Sequence, residues 1–423
     1  MRIAYLLADP GIGIFGTKGA SVHAQEMIRA FRGLGHEVTV FCTKRGDRFG
    51  DPHSEAQPTD LADLPVYVIP VDGAKGAAAR EVAVARASST MAALAGDGEF
   101  DLLYERYALF STAGAEAKRS SACRLVVEVN APLLAEQARH RTLHDVGGAT
   151  AATRETFSQA DLLSCVSSPI AEWAREMSST GTRLPRVRIT ANGVDPDRFR
   201  QSSSVFPQSR HSDRETVTIG FLGTLKPWHG TDLLIQAFAH ALQRLASPAL
   251  KLLIVGGGPE RNALEELTEE LGIAEDVEFT GPLPPDQVPA ALRRFDIAAA
   301  PYPAPPTGTA HYFSPLKVYE YLAAGVPVLA SAVGELPELL AGPASTGPAG
   351  ETVLPGDVEA LTVSLISMIE DPARRARLGA SGRLQVKHGH SWAHRAEELL
   401  DDLAQLNLET GTPETSPAEV ASA

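Results

Sequence analysis

The sequence predicts an α/β protein with two domains, each built on a doubly wound parallel sheet. Short apolar runs alternate with stretches of helical spacing along most of the chain, as in parallel sheets that helices cover on both faces. The alternation stops at a polar, serine-rich segment near residues 200–216 and then begins again. A length of 423 residues exceeds what one ordinary core organises, which also favours two domains.

Before the polar segment, each strand candidate is an apolar run bounded by turn residues. The first run leads into a glycine-rich loop, "GIGIFGTKGASVH" (11–23), and then into a helical stretch that ends in glycines. We expect residues 1–200 to form the N-terminal domain. The candidate strands are residues 2–8, 36–42, 65–70, 101–105, 124–129, 161–167 and 186–191.

The second half repeats this pattern over residues 217–390, after a linker predicted at 201–216. A last helix is expected at 391–408, and the tail over 409–423, rich in Pro, Thr, Ser and Glu, is predicted to be disordered. The candidate strands are residues 217–223, 250–256, 277–281, 296–302 and the end of the stretch 312–331.

The composition disfavours several classes of function. A net charge of −14 argues against nucleic acid or an anionic membrane as the main partner, because both attract basic surfaces. No apolar stretch is long enough for a membrane span or a signal peptide, so the expected location is the cytoplasm. Cys42, Cys123 and Cys165 lie in or beside apolar runs and are expected to be free, buried thiols. No CxxC or Cys/His cluster suggests a metal site.

One predicted helix carries an unusual charge near its start. In "YFSPLKVYEYLAAGVPVLAS" (312–331), Ser314 is expected to be the N-cap and Gly325 to end the helix. Lys317 then lies in the first turn, where the helix dipole favours an anion, and Glu320 follows on the same face. A bound anion would explain this lysine. The alternative is a solvated ion pair with Glu320, worth roughly 0.2–0.5 kcal/mol.

Two more strand ends are expected at the same edge of the second sheet, "GTLKPWHG" (223–230) and "VGGGPE" (255–260). They add glycine backbone, Lys226 and His229. Because phosphates bind N–H groups and cations, and a ribose diol binds a carboxylate, the combination predicts a site for a nucleotide diphosphate. Alternatively, His229 is a core or capping histidine. The glycines indicate either crowding by a ligand or only a tight turn.

The glycine loop over residues 11–23 gives a weaker signal, because any turn between a strand and a helix can contain glycines. It lacks the G-x-G-x-x-G register, and the second strand ends in Phe-Cys-Thr without an acidic residue. A nicotinamide-dinucleotide site is therefore disfavoured.

Several ordered segments resemble the family-4 retaining glycosyltransferases, whose GT-B architecture has two Rossmann-like domains facing a cleft. The resemblance extends from residue 1 to about residue 400. It implies a nucleotide-sugar donor bound mainly by the C-terminal half, an acceptor bound mainly by the N-terminal half, no metal or other cofactor, and a last helix that crosses back to the first domain. The segments are "ANGVDPDRF" (191–199), "GFLGTLKPWHG" (220–230), "LIVGGGPE" (253–260), "VEFTGPLPPDQVPAAL" (277–292) and "SPLKVYEYLAAGVPVLAS" (314–331).

The resemblance also implies roles for individual residues. Glu320 matches the second Glu of the family's E-x7-E motif, which holds the ribose hydroxyls. The implied donor contacts are Gly16, Gly19, Gly223, Thr224, Gly257, Gly258, Tyr312, Ser314, Leu316 and Glu320. The catalytic candidates are Lys226, Lys317, His229 and Asn130, and the acceptor candidates are Lys18, His23, Glu105, Glu128 and Glu136.

This sequence departs from the family's pattern at three places. Tyr312 stands where the first Glu of E-x7-E is usual, and Asn130 stands where a histidine is common. Thr224 and His229 replace an Arg and a Lys that contact the diphosphate. The two lysines among the catalytic candidates can supply the lost cations, so the departures bear on the donor sugar more than on the activity.

These inferences predict a retaining glycosyltransferase that moves a sugar from a UDP-linked hexose or N-acetylhexosamine to a hydroxyl of a small soluble acceptor, such as an aminocyclitol of secondary metabolism. No side-chain nucleophile is needed, because a diphosphate oxygen takes the acceptor's proton on the face where it leaves. The alternatives are a lipid or polysaccharide acceptor, and a weakly active partner subunit that binds nucleotide sugar. The motifs disfavour a nucleotide-sugar epimerase, and the chain length disfavours a glycogen-type phosphorylase.

Overall fold

The computed structural model describes residues 1–46, 57–71, 75–140, 142–179, 184–200, 216–305 and 311–410. The chain divides into two compact units, Met1–Ala191 with Trp392–Ala423, and Asn192–Ser391. Most of the predicted linker (201–215) and of the predicted tail (411–423) lies outside the described residues.

The first unit contains a seven-stranded parallel sheet in the order β3-β2-β1-β4-β5-β6-β7. Every strand predicted for this half is present, which confirms the expected doubly wound topology. The strands are β1 (Arg2–Leu7), β2 (Glu37–Cys42), β3 (Val66–Val68), β4 (Leu102–Arg106), β5 (Arg124–Val129), β6 (Leu162–Cys165) and β7 (Arg186–Ile189).

Helices of this unit include one from the C-terminal end of the chain, α14. It packs against α1, and the Arg188 guanidinium on β7 donates to Asp402 of α14 at 2.7 Å. The helices are α1 (Gly19–Gly33), α2 (Ala77–Gly96), α3 (Ala113–Ser120), α4 (Leu133–His140), α5 (Val146–Gln159), α6 (Ser168–Ser178) and α14 (Trp392–Thr410).

The strand order of the first sheet reverses between β1 and β4. Ligands of doubly wound sheets bind at such a reversal, outside the carboxyl ends of the strands. The glycine loop that follows β1 is fixed at this point by the buried Gln25 side chain of α1. Its amide nitrogen donates to the carbonyl oxygens of Ile14 at 2.9 Å and Gly16 at 3.0 Å.

The second unit contains a six-stranded parallel sheet in the order β10-β9-β8-β11-β12-β13, with the reversal between β8 and β11. All the strands predicted here are present, and the structure adds β13, whose sequence "GETV" has no apolar run to signal it. The strands are β8 (Thr216–Leu222), β9 (Ala249–Val255), β10 (Val277–Gly281), β11 (Ile297–Ala300), β12 (Val328–Ser331) and β13 (Gly350–Val353).

The helices of the second unit lie between and after these strands. They are α7 (Thr231–Arg244), α8 (Arg261–Glu270), α9 (Val288–Leu292), α10 (Leu316–Ala324), α11 (Leu336–Ala341), α12 (Val358–Glu370) and α13 (Pro372–Gly389).

The division between the units lies near residue 191, earlier than the boundary predicted at 200. The segment after Ala191 belongs to the second unit because its side chains and backbone are bonded there. The backbone N–H of Asn192 donates to the Ser314 hydroxyl, and its side-chain amide donates to the Ser314 carbonyl oxygen. Val194 forms a β-bridge with Ser391, and Phe199 is buried.

The three cysteines are free and buried, as expected. Over the described ranges, no helix combines the length and the apolar character needed to cross a bilayer.

Candidate functional site

The N-terminus of α10 differs from the prediction. The helix begins at Leu316, and its N-cap position is Pro315, which provides no side-chain cap. Ser314 was predicted as the N-cap, and this is wrong, because its hydroxyl oxygen accepts from the Asn192 backbone N–H at 3.0 Å and donates to Glu335. The predicted end is confirmed, since Gly325 adopts a left-handed φ of 68°. Because the N-cap residue provides no side-chain cap, the first N–H groups of α10 are suited to bind an anion.

Lys317 is buried in the first turn of α10, with only 8% of its surface exposed. Its ammonium nitrogen lies 4.2 Å from the ring centroid of Phe221 and 5.3 Å from that of Tyr302. Within the part of the chain that the structure describes, this nitrogen has no hydrogen-bond partner. Burial lowers the pKa of Lys317 to about 7, although the Glu320 carboxylate acts in the opposite direction. The alternative of a solvated ion pair is therefore wrong.

Gly223, which follows β8, allows the close approach of Lys317. Its φ is 149°, and a Cβ atom there would lie 3.0 Å from the Lys317 nitrogen. The loop after β9 packs against the same segment. A Cβ on Gly256 would lie 1.8 Å from the Gly223 carbonyl oxygen, and one on Gly258 would lie 2.2 Å from that of Leu225. The crowding at the glycine triplet therefore comes from the chain's own backbone, which favours the tight turn over ligand crowding.

His229 closes the loop after β8. Its Nδ1 is hydrogen-bonded to the carbonyl oxygen of Thr224, and its ring lies 6.1 Å from that of Tyr302. Burial lowers the pKa of His229 to about 3, and the charges of Lys317 and Lys226 act in the same direction. His229 is therefore neutral near pH 7 and cannot be a phosphate cation.

The remaining predicted donor residues surround this point. Gly257 is half-buried, and its carbonyl oxygen accepts from the Leu225 N–H at 3.0 Å. The Lys226 ammonium lies 5.5 Å from the ring centroid of Trp228. Thr224 is exposed, and the half-buried residues are Lys226, Tyr312, Leu316 and Glu320.

Sequence reasoning missed Glu335, which follows β12. Its carboxylate accepts from the hydroxyls of Ser314 and Tyr319, the latter at 2.9 Å. These bonds hold the segment that leads into α10. An acidic residue shortly after a buried strand was the available signal.

In the first unit, Glu128 at the end of β5 collects four donors. It accepts from the Tyr104 hydroxyl at 2.6 Å and His23 Nε2 at 3.0 Å, and also from Arg106 and Asn130. Burial acts to raise the pKa of Glu128, but His23 and Arg106 outweigh it and hold that pKa well below its ordinary value. Glu128 is thus an ionised carboxylate with saturated oxygens. It positions Asn130 and His23, and its expected direct contact with an acceptor is corrected.

Glu105 was also expected to face the acceptor, and the structure corrects this. Successive side chains of a strand point to opposite faces, so Glu105 points away from the face that Tyr104 and Arg106 share with Glu128. It is fully buried and accepts from the Ser111 hydroxyl at 2.5 Å and the Gly114 N–H at 2.9 Å. Burial raises the pKa of Glu105 to about 7, although these two bonds lower it.

The other predicted residues of this unit lie on α1, its loop and α4. Gly16 is buried, Lys18 is the exposed N-cap residue of α1, and Gly19 is the first helical residue. His23 is buried, and its ring lies 4.6 Å from that of Trp392. Glu136 is half-buried on α4. Arg106 and Tyr104 were missed, although the segment "YERY" (104–107) contains both.

The two parallel sheets and their strand orders are those of the GT-B fold, and comparison with solved structures agrees at the level of the fold. The Anabaena protein Alr3699/HepE, solved in complex with UDP, superposes with a TM-score of 0.66 over 96% of this chain and 100% of that chain, at 18% identity.

Sequence profiles identify the family. Residues 17–198 match the family described as Glycosyltransferase Family 4, and residues 204–385 match Glycosyl transferases group 1. The chain belongs to the glycosyltransferase family that these two matches describe, and its fold is of GT-B type.

Two curated relatives match more than half of this chain. A D-inositol 3-phosphate glycosyltransferase of Nocardia farcinica is 28% identical, over 93% of this chain and 86% of its own length. A GDP-mannose-dependent monoacylated alpha-(1-6)-phosphatidylinositol monomannoside mannosyltransferase of Corynebacterium glutamicum is 30% identical, over 62% of this chain and 68% of its own length. The chain spans about half the length of several other curated relatives that it matches.

Proposed function

We propose that this glycosyltransferase transfers a sugar, with retention of anomeric configuration, from a nucleoside-diphosphate sugar to a hydroxyl of a small polyhydroxylated acceptor. The observation that carries the proposal is Lys317, a buried cation that lacks a hydrogen-bond partner among the described residues and lies at an uncapped helix start. A buried charge of this kind is costly unless an opposite charge meets it. A diphosphate is the anion that fits the fold.

In this proposal the diphosphate lies against the first N–H groups of α10 and the ammonium of Lys317. The Glu320 carboxylate, one turn further along α10, accepts hydrogen bonds from the two ribose hydroxyls. The charge of the departing diphosphate is met by these groups without a metal ion. Transfer should therefore persist at full rate in EDTA, and loss of the activity on chelation with recovery on adding a divalent cation would contradict this part.

The proposed reaction is a displacement on one face of the sugar. The bond between the acceptor oxygen and the anomeric carbon forms as the bond from that carbon to the diphosphate oxygen breaks. The acceptor's proton passes to a diphosphate oxygen, so no side-chain nucleophile takes part. The protein contributes positioning and stabilisation of charge.

For the donor we propose a UDP-linked hexose or N-acetylhexosamine, which the UDP-bound structural neighbour supports at the level of fold. For the acceptor we propose a cyclitol or amino sugar. The name of the Nocardia farcinica relative, which contains D-inositol 3-phosphate, supports a cyclitol.

A second candidate is mannosyl transfer from GDP-mannose to an inositol-containing lipid. The name of the Corynebacterium glutamicum relative favours it. This candidate shares the diphosphate site and differs in nucleobase and acceptor.

Calorimetric titration with UDP, GDP, ADP and TDP and with their sugar conjugates tests the donor. We expect selective binding of one nucleotide, with Glu320→Ala weakening it by about 1–3 kcal/mol because the ribose contacts are lost. Glu266→Ala, at an exposed position on α8, is the matched control and should bind like the wild type. Unchanged affinity in Glu320→Ala would contradict the ribose contact.

Incubation of the selected donor with soluble cyclitols and with inositol lipids in detergent then distinguishes the two acceptors. The anomeric coupling constant of the product reports retention or inversion. If no nucleotide binds and neither transfer nor donor hydrolysis occurs, the proposed activity is wrong and a binding-subunit role would replace it.

A further inference from the structure

We propose that His229 offers its Nε2 as a neutral hydrogen-bond acceptor to a hydroxyl of the transferred sugar. This inference rests on the proposed function and adds a residue that recognises the sugar. The resemblance places a phosphate-binding lysine at this position, so the chemistry proposed here is the opposite of that expectation.

The first step is the position of the imidazole proton. Nδ1 of His229 is hydrogen-bonded to the carbonyl oxygen of Thr224. A carbonyl oxygen can only accept, so Nδ1 must carry a proton. When the ring is neutral, Nε2 is therefore unprotonated and presents a lone pair.

The second step is the charge of the ring. The groups near His229 include Lys226 from the same loop, Lys317 from α10, and the rings of Phe221, Trp228 and Tyr302. Burial disfavours an imidazolium ion most, and both lysines act in the same direction, whereas the hydrogen bond to Thr224 acts against them. The resulting pKa, about 3, keeps the ring neutral and also makes Nε2 too weak a base to remove a proton from an acceptor hydroxyl.

The third step is the ligand that fits. A lone pair repels the oxygens of a diphosphate, which are acceptors themselves, whereas a hydroxyl can donate to it. Lys317 already provides the cation for the diphosphate, and it is close enough to His229 to lower the pKa of the ring. The ribose hydroxyls are assigned to Glu320 in the proposed function, so the hydroxyls of the transferred sugar, which is bonded to the same diphosphate, are the donors left for Nε2. In the family's pattern the phosphate-binding cation lies in the loop after β8, whereas in this proposal it lies on α10. The loop position is therefore available to bind the sugar.

Two substitutions of His229 test the roles of Nδ1 and Nε2 separately. In His229→Asn the side-chain amide can still donate to the Thr224 carbonyl, but the acceptor at the Nε2 position is lost. In His229→Gln the longer side chain can place an amide oxygen near that position. We expect His229→Asn to bind the nucleoside diphosphate within about twofold of the wild type and the nucleotide sugar about fivefold more weakly, with partial recovery in His229→Gln.

Binding of the nucleoside diphosphate and of its sugar conjugate, measured by calorimetry on the full chain, gives the first readout. Equal loss for both ligands in His229→Asn, or a change only in the acceptor's KM, would overturn the proposal. Lys317→Met is the comparison variant and should weaken both ligands alike.

Nitrogen-15 NMR of histidine-labelled protein gives a second readout that does not require a substrate. The signal that disappears in His229→Asn should be that of a neutral ring protonated at Nδ1, unchanged between pH 8 and pH 5. An imidazolium at pH 7, or a ring protonated at Nε2, would overturn the proposal. If the wild type binds no nucleotide, the proposed function fails and the sugar contact fails with it, whereas the NMR result still decides the charge and tautomer of His229.

Discussion

Each unit buries charged side chains at the carboxyl ends of its parallel strands, but the two sites treat that charge differently. In the first unit, the Glu128 carboxylate is bonded to His23 and Arg106, and all three side chains are buried. In the second unit, Lys317 is as deeply buried, yet its ammonium has no hydrogen-bond partner among the described residues. A carboxylate with saturated hydrogen bonds belongs to the scaffold, whereas a buried cation without a hydrogen-bond partner among the described residues is suited to the anion proposed above.

This difference favours a positioning role for the cluster around Glu128 and a ligand-binding role for the site around Lys317. Interlocked hydrogen bonds in a low-dielectric interior fix side chains in one arrangement. The cluster around Glu128 is therefore suited to hold Asn130 and His23 in place. The site around Lys317 is suited to the reversible binding of the proposed anion, because its ammonium has no hydrogen-bond partner within the described ranges.

The largest expected effect comes from breaking the paired site. Glu128→Gln leaves the buried Arg106 guanidinium without an ionic partner and takes a carboxylate acceptor from His23, so it should lower the free energy of unfolding by about 3–5 kcal/mol. Chemical denaturation followed by circular dichroism measures it. The control is Glu278→Gln, whose carboxylate pairs with Arg294 on the surface and should cost at most about 1 kcal/mol. Equal losses would show that the cluster is no more important than a surface pair.

Removing the unpaired charge should have the opposite signature. Lys317→Met deletes a buried cation and should leave the free energy of unfolding unchanged or higher, while nucleotide binding weakens by about 1.5–3 kcal/mol. Denaturation and calorimetry on the same sample measure both. Lys251→Met, where the wild-type ammonium pairs with Asp276 at a half-exposed position, should leave the affinity unchanged. Loss of stability without loss of affinity would assign Lys317 to the scaffold.

The pH dependence of binding sharpens the comparison. The pKa of Lys317 is about 7 in the free site, and a bound diphosphate should raise it, so binding above pH 7 takes up a proton. Affinity should then fall between pH 7.5 and 9, by at most about tenfold per unit. Calorimetry in two buffers with different ionisation enthalpies counts the protons. An affinity that stays constant over this range would contradict the role of Lys317.

The titration of Lys317 should also make the free energy of unfolding of the ligand-free protein depend on pH. Because the folded-state pKa of Lys317 lies below its ordinary value of 10.5, the unfolded chain binds more protons between these values. Unfolding free energy should therefore rise with pH from 7 to 10.5, and Lys317→Met should flatten this rise. If the free energies of unfolding of the wild type and of Lys317→Met change with pH in the same way, this prediction is wrong.

The smallest expected effect concerns Glu105, a buried carboxyl of the first unit that has neutral partners. Its folded-state pKa, about 7, lies above the ordinary value of 4.5. Its contribution to the free energy of unfolding is therefore fully present below pH 4.5 and is lost as the pH rises through 7. Glu105→Gln should raise the unfolding free energy at pH 8 by about 1 kcal/mol, since the amide cannot carry the charge. Melting at pH 5 and pH 8 measures it, and the same change at both values would refute the titration.

The sequence determined most of the architecture, because parallel strands buried on both faces leave apolar runs of recognisable length. It failed at β13, which has only four residues and a polar centre. It also identified Lys317 and Glu320 as neighbours on one helix, since their spacing along α10 is local information.

Contacts between distant residues were decided only by the tertiary structure. Ser314 looked like an N-cap, but it binds Asn192 and Glu335 instead, because packing brings these residues to its hydroxyl. Glu128 and Glu105 looked alike in sequence. The register of β4 with β5 separates them, since it places Arg106 opposite Glu128 and turns Glu105 into the core.

The family, the two sheets and the position of the proposed anion site could thus be predicted from local patterns, each readable within one strand or helix. The charge state of the site residues was not. Lys317 and His229 carry ordinary ionisable side chains, and only burial and the neighbours assembled from separate elements lower their pKa values. Electrostatic energies depend on distances in space, and the fold alone determines those distances.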